Sequence, residues 1–136
     1  MADYLDIPPE VLVRLRPICL GLPEAYEEPA WVGTRWRIRK RTFAHVLQVA
    51  PGQPPVHAKE ASVDGESTVL TFRSQSPELE VLTDTGYPFY RPAWGRDVVG
   101  MILHDDVDWS EVAELLTESY CVQAPHKLVE QVRRPD

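Results

Sequence analysis

Apolar residues recur at helical spacing near the start of the chain, at Val11, Leu12, Leu15, Ile18, Cys19 and Leu22. This spacing predicts a helix over residues 8–20 with one buried face. Asp6 is placed to cap its start, and prolines at positions 8 and 9 suit a first helical turn. Pro17 should kink or break the helix, and Gly21 followed by Pro23 should end it.

A two-residue alternation replaces the helical period over residues 35–49, which predicts a β-hairpin. Trp36 and Ile38 should point to one face of the first strand. The opposite face should carry the arginines at odd-numbered positions, Arg35, Arg37 and Arg39. The turn should lie near residues 40–41, before a second strand rich in strand-forming residues.

The rest of the chain predicts one loop and five further elements. The loop covers residues 50–67, which are polar and interrupted by proline and glycine. Residues 68–74 alternate like a strand, a short helix should open at 76–78, and residues 98–103 are apolar enough for a central strand. Asp108 and Glu111 fit a capping box at the start of the next helix. A final helix should span residues 125–133.

This order of elements predicts an α+β fold. Because neighbouring strands have short connections, the sheet should be mostly antiparallel, with helices packed against it in a two-layer arrangement.

The composition is typical of one globular domain, which we assign to residues 1–136. Hydrophobic residues make up 43% of the 136 positions and charged residues 26%. No apolar run is long enough for a membrane helix, and the N-terminus lacks the pattern of a signal peptide. Cys19 and Cys121 lie far apart without a CxxC motif, which favours reduced thiols. We therefore expect a cytoplasmic protein with no membrane partner.

The strongest local feature is the segment 35–41, which carries five positive charges and no negative one: Arg35, Arg37, Arg39, Lys40 and Arg41. On a hairpin such a stripe can contact phosphates, together with arginines elsewhere in the chain, Arg73, Arg91 and Arg96. The alternative is an edge strand protected by charge, with its arginines paired to Glu27, Glu28 or Asp97. The net charge of −7 argues against strong nucleic-acid binding by the chain as a whole.

A second candidate surface is aromatic. The segment 87–94 carries Tyr87, Phe89, Tyr90 and Trp94, with Arg91 and Arg96 inside or beside it. Aromatic rings next to arginine can stack on bases or on a flat ligand, which would make an aromatic-arginine pocket. The same rings can equally serve as ordinary core and rim of the sheet.

No pattern indicates a metal site or an enzyme active site. The acidic stretch 105–118 lacks the glycine and distal glutamate of a calcium loop, so capping and a solvated helix face explain it better. The four histidines, His45, His57, His104 and His126, show no metal-ligand spacing. No nucleophile elbow, phosphate-binding loop or dinucleotide fingerprint is present. We expect no catalytic residues, no metal and no cofactor.

The C-terminal half runs through a proline-aromatic segment, a central strand, an Asp-Trp helix start and a Ser-Tyr pair before Ala-Pro. With matching positions in the first half, this order resembles the MmcQ/YjbR family over nearly the whole chain. The matching positions in the C-terminal half are Pro88, Phe89, Tyr90, Pro92, Trp94, Asp108, Trp109, Glu111, Glu114, Leu115, Ser119, Tyr120, Ala124, Pro125 and Leu128. Those in the first half are Leu22, Pro23, Glu24, Trp31, Val32, Gly33, Thr42, Phe43, Ala44, Leu70, Thr71, Phe72 and Arg73. The chain departs from the family pattern at His126, where the family often has a second lysine.

The resemblance implies a two-layer fold with an antiparallel sheet, described as a double wing and similar to secretion chaperones. It also implies a DNA-binding role, and it assigns no catalytic residue.

Three functions follow as expectations for a non-enzymatic binding module. The first is nucleic-acid binding through the basic hairpin, weakened by salt. The second is a protein-interaction or chaperone-like role, with a homodimer or another protein as partner. The third is a small-ligand binder that uses the aromatic-arginine pocket.

Overall fold

The computed structural model describes residues 6–30, 32–49, 66–92 and 95–134. The loop predicted over residues 50–67 lies outside this part of the chain, apart from its last two residues. Trp94, predicted for the aromatic pocket, also lies outside the described residues.

The described residues form four helices and six strands. In chain order they are α1 Pro9–Leu20, β1 Tyr26–Pro29, β2 Thr34–Ile38, β3 Arg41–Val49, β4 Ser67–Arg73, α2 Glu78–Thr85, β5 Phe89–Tyr90, β6 Val98–Ile102, α3 Trp109–Gln123 and α4 His126–Val129.

The strands make one sheet in the order β1-β2-β3-β4-β6-β5. Every pairing in it is antiparallel. The α+β fold class and the antiparallel sheet are therefore confirmed. β6 is an interior strand beside the edge strand β5, and its sequence agrees with this place, because Val98–Ile102 is apolar on both faces and four of its five residues are buried.

One face of the sheet, here called the helical face, carries the main core. Strand residues Trp36, Phe43, Leu70 and Met101 are at most 1% exposed there. Each helix in the described chain adds to the same cluster: α1 contributes Leu15 and Cys19, α2 contributes Leu79, α3 contributes Leu116 and Tyr120, and α4 contributes Leu128. Burial of this apolar surface is the main favourable contribution to folding.

The other face, here called the distal face, carries the side chains that alternate with the core residues. A smaller apolar cluster lies on it, formed by Val32, Leu47, Val49 and Val69 with Tyr90 and Ile102 against them. One row of register partners crosses this face from β1 to β5: Glu28, Arg35, His45, Thr71, Gly100 and Tyr90. The row brings polar and charged side chains from distant parts of the sequence together.

The hairpin is confirmed, but its turn lies one residue earlier than predicted. Arg39 and Lys40 occupy the turn with φ of 49° and 67°. Positive φ at both central residues is the type I′ geometry, whose twist matches that of the flanking strands. Arg39 therefore does not share the distal face with Arg35 and Arg37.

Other local predictions were wrong in detail. Strands β1 and β5 were not predicted, because four and two residues are too short to show a period. Asp6 does not cap α1, whose N-cap is Pro8 without a side-chain hydrogen bond. The final helix is one turn, His126–Val129, rather than residues 125–133.

Candidate ligand-binding groove

Strand β3 contains a bulge at Phe43. Trp36 pairs with Ala44 and Arg37 pairs with Thr42, so the register passes over Phe43. A bulge leaves the extra residue unpaired and turns its neighbours. Phe43 and Ala44 accordingly both belong to the core of the helical face, although they are adjacent in sequence.

The pairing of β3 with β4 ends at the same place, at Ala44 and Phe72. The next positions along the two strands are Phe43 and Arg73, and Ser119 on α3 bridges them. Its hydroxyl accepts a hydrogen bond from the backbone N–H of Arg73 at 2.7 Å and donates one to the Phe43 carbonyl at 2.5 Å. A hydroxyl inserted between N–H and C=O holds two strands further apart than a direct ladder hydrogen bond does.

A groove of about 310 Å³ opens where the strands separate. Its described lining comes from the loop before β2 and from strands β2, β3, β4 and β6: Ala30, Val32, Arg35, Thr42, Phe43, Ala44, His45, Thr71, Phe72, Arg73 and Val98. Five of these side chains, those of Arg35, Thr42, His45, Thr71 and Arg73, carry hydrogen-bond donors or acceptors. The groove therefore combines apolar walls with a few polar groups, as ligand sites generally do.

The described lining of the groove carries more positive than negative side chains. Among its described lining residues two are arginines, Arg35 and Arg73, and none is a carboxylate. The Arg73 guanidinium makes no hydrogen bond or ion pair to any residue that the structure describes, and its side chain is half-buried. Arg35 lines the groove while its NH2 lies 2.5 Å from Oε1 of Glu28.

His45 occupies the middle of the groove in the neutral form. Its Nε2 lies 2.5 Å from the carbonyl oxygen of Val32, so Nε2 carries the proton and donates it. Burial lowers the pKa of His45 below the ordinary value of 6.5, and the charge of Arg35 acts in the same direction. The hydrogen bond to Val32 opposes this shift. His45 thus links two lining residues of the groove, itself and Val32, by a hydrogen bond, and it adds no charge there at neutral pH.

Glu28 on β1 neutralises part of the basic hairpin. Its Oε1 accepts from NH2 of Arg35 and, at 3.0 Å, from NH1 of Arg37. The hydrogen bond from Arg37, aided by Arg35, lowers the pKa of Glu28 against the opposing effect of desolvation. Two guanidinium groups share one carboxylate, so this cluster keeps one net positive charge.

The remaining predicted basic residues do not line the groove. Arg39 pairs with Glu24 at 3.1 Å, both side chains being 55% exposed. The other four are exposed and make no ion pair within the described chain: Lys40, Arg41, Arg91 and Arg96. Of the eight predicted nucleic-acid contacts, the structure brings only Arg35 and Arg73 together in this groove.

The predicted aromatic residues occupy three different environments. Phe89 belongs to the core of the helical face, whereas Tyr90 lies on the distal face against the smaller cluster. Tyr87 is 69% exposed and stacks on His104, with ring centroids 5.9 Å apart. These three rings therefore do not converge on one pocket.

The acidic residues of α2 and α3 lie on the helical side of the sheet. A second groove, between α2 and α3, is lined by four glutamates: Glu78, Glu111, Glu114 and Glu118. Arg134 crosses it and pairs with Glu118 at 2.7 Å. Asp108 caps α3 as predicted, by accepting from the backbone N–H groups of Ser110 and Glu111. No group of three potential metal ligands is found among the described residues.

Both cysteines are free thiols. Burial raises the pKa of Cys19 and also, more weakly, that of Cys121. Neither side chain therefore has the lowered pKa of an activated nucleophile. No helix in the described part of the chain is long and apolar enough to cross a membrane.

Sequence reasoning missed three contributors to the groove. Ser119 and Thr71 appeared only as positions of the family resemblance, and His45 only as one of four histidines without metal-ligand spacing. The Ser-Tyr pair of the family pattern was the signal in the sequence that pointed to Ser119. Both hydroxyls of this pair bond to the backbone, that of Tyr120 donating to the Pro23 carbonyl at 2.6 Å. The bulge at Phe43 had no signal in the sequence.

Comparisons with known proteins agree with the resemblance. The family model described as YjbR matches residues 20–122, which include every described residue of the groove. No curated protein matches the chain.

Proposed function

Because the chain belongs to the YjbR family, whose name carries no activity, we propose a function from the groove itself. The proposal is a non-enzymatic binding domain that takes a small anionic ligand on the distal face, between Arg35 and Arg73. Of the three expectations drawn from the sequence, this is nearest to the small-ligand binder, with the aromatic partners replaced by His45 and Thr71.

One observation carries the proposal. Arg35 from β2 and Arg73 from β4 are far apart in sequence, yet they line the same groove without a described carboxylate in its lining. Guanidinium groups donate planar, charge-assisted pairs of hydrogen bonds that match carboxylate and phosphate oxygens. The half-buried position of Arg73 strengthens such contacts, because partial desolvation reduces screening by water.

The size of the groove favours a small ligand. Its volume of about 310 Å³ is at the lower end of the range for small-molecule sites. The acidic residues on α2 and α3 lie towards the opposite side of the sheet, so they do not line this groove. The non-enzymatic part of the proposal rests on the candidate nucleophiles and bases: both cysteine thiols, which are not among the described lining residues, have raised pKa values, and His45 donates to a backbone carbonyl.

Single-stranded nucleic acid is a second candidate. Arg41 and Lys40 are exposed at the hairpin end, and Arg41 precedes the groove residue Thr42. Against it, three of the five hairpin cations already pair with glutamates, Arg35 and Arg37 with Glu28 and Arg39 with Glu24. The protein-partner alternative stays a prediction; the most exposed apolar side chains, Val13, Val81 and Tyr87, lie on different segments.

The test is an NMR titration of the ¹⁵N-labelled chain with pyrophosphate at constant ionic strength. We expect saturable shifts at the amides of His45, Thr71 and Arg73. Arg73→Gln should weaken binding at least about tenfold, because it removes a charge-assisted contact. Arg14→Gln is the matched control, since Arg14 is an exposed arginine on α1 away from the groove.

A parallel titration with single-stranded oligothymidine separates the two candidates. Binding that disappears as salt is raised, and that weakens on Lys40→Gln and Arg41→Gln, would favour nucleic acid. The small-anion proposal fails if pyrophosphate shifts no groove amide, or if Arg14→Gln weakens binding as much as Arg73→Gln.

A further inference from the structure

Arg35 stands between the groove and a carboxylate of the chain itself. It lines the groove, and it is also the direct register partner of Glu28 on β1. Glu28 is not among the described lining residues, yet its Oε1 lies 2.5 Å from NH2 of Arg35. An anion in the groove and the carboxylate of Glu28 therefore require the same guanidinium group.

Glu28 has a second arginine that remains when Arg35 leaves. Its Oε1 accepts from Arg37 as well as from Arg35, at 3.0 and 2.5 Å. Arg37 is further fixed by donating to the carbonyl of Lys40. Releasing Arg35 would thus not leave Glu28 as an unpaired carboxylate, which is normally the main penalty of breaking an ion pair.

The present arrangement also leaves Arg35 incompletely bonded. Its Nε is buried and makes no hydrogen bond in the described part of the chain. A buried donor without an acceptor is unfavourable, so a rearrangement that offers Nε an acceptor is favoured. A ligand oxygen reached by a shift of the side chain towards the groove would provide one.

We propose that Glu28 is an internal competitor for the ligand, and that anion binding transfers Arg35 from Glu28 to the bound anion. This inference rests on the proposed function of the groove. It narrows the ligand to molecules with a carboxylate or phosphate group, because a neutral acceptor cannot replace the charged oxygen that Arg35 gives up. Glu28 then sets the affinity of the site without touching the ligand.

The experiment repeats the pyrophosphate titration at fixed ionic strength with Glu28→Gln. Removal of the competing carboxylate should tighten binding about threefold, the scale expected for a partly exposed ion pair. Glu24→Gln is the matched control, because it makes the same charge change beside the hairpin but pairs with Arg39 instead. It should leave the affinity unchanged.

A double-mutant cycle isolates the role of Arg35. In an Arg35→Gln background, Glu28→Gln should produce no gain, because the group for which they compete is absent. An equal gain in both backgrounds would overturn the inference, since it would indicate a general effect of charge. If Glu28→Gln fails to fold, Arg37→Gln tests the same point with the opposite sign: Glu28 then holds Arg35 alone, and binding should weaken about threefold.

The outcomes separate this inference from the proposal on which it rests. If neither the wild type nor Glu28→Gln binds pyrophosphate, the proposed function fails. If the wild type binds and depends on Arg73, but Glu28→Gln binds with unchanged affinity, the groove remains a binding site and only the competition by Glu28 is wrong.

Discussion

The ring of Tyr90 covers Gly100 so closely that a Cβ at position 100 would lie 2.2 Å from Cζ of Tyr90. The two residues are register partners on β5 and β6, and they end the row of the distal face that begins at Glu28 and Arg35. Glycine is required here by the approach of the ring rather than by its backbone conformation, because its φ is not positive. This contact fixes β5, an edge strand of only two residues, against the sheet.

We expect Gly100→Ala to destabilise the protein by about 1–3 kcal/mol, because the added methyl group overpacks the contact. In a Tyr90→Ala background the same change should have almost no cost. Urea unfolding of the four variants measures the coupling. An equal penalty in both backgrounds would place the cost in the backbone of β6 instead of the ring contact.

Ser119→Ala should lower the free energy of unfolding by about 1–3 kcal/mol. The buried hydroxyl serves both the Arg73 N–H and the Phe43 carbonyl, and alanine leaves both without a partner. The exposed Ser110 on the same helix is the control, and Ser110→Ala should change stability by no more than about 0.5 kcal/mol. A Ser119→Ala protein as stable as the wild type would show that the two strands re-form the missing ladder bond directly.

The stability of the protein should fall as the pH drops below about 6.5. The pKa of His45 is lower in the folded protein than its ordinary value of 6.5, mainly because the side chain is buried. Between the folded and unfolded pKa values the unfolded chain binds more protons, so stability rises with pH there and is lost as pH falls. Melting temperatures between about pH 7.5 and 5.5 measure this slope.

His45→Gln should flatten that slope, because glutamine keeps a donor for the Val32 carbonyl but does not titrate. The exposed His126, whose side chain is 87% accessible, provides the control variant His126→Gln, which should keep the wild-type slope. If His45→Gln has the same pH dependence as the wild type, another group is responsible for the loss of stability.

Asp108→Ala should destabilise the protein by about 0.5–2 kcal/mol, the usual value of an N-cap side chain. Its Oδ1 accepts from the N–H groups of Ser110 and Glu111, which have no partner inside α3. Asp106→Ala removes the same charge two residues earlier and should have little effect. Equal losses in the two variants would attribute the cost to charge near the helix start rather than to the cap.

Long periodic segments were predicted well. Neighbouring residues were enough to predict the period of α1, the alternation of Thr34–Ile38 and the cap at Asp108, because local contacts decide these features. Strand β1 was missed because YEEP has no strand pattern of its own. It exists as a strand because it pairs with β2 and because Glu27 and Glu28 bond to Trp36, Arg16, Arg35 and Arg37.

The basic hairpin shows the limit of reasoning from charge alone. Five positive charges in seven residues left two interpretations open, a continuous phosphate-binding stripe and an edge strand whose arginines pair with Glu27, Glu28 or Asp97. The pairing with Glu28 is present, and Glu24, which was not considered, holds Arg39. Which carboxylate meets which arginine depends on the register of β1 with β2 and on the turn at Arg39, and neither follows from composition.

By itself the sequence determined the fold class, the hairpin, the core face of each long element and the family, because these depend on short-range periodicity and on the order of motifs. Only the tertiary structure decided where a ligand site could form. Arg35, His45, Thr71 and Arg73 meet because the strand order β2-β3-β4 brings them side by side, and because Ser119 bridges the strands at the bulge. Contacts between residues so distant along the chain are set by packing and register, which no local pattern encodes.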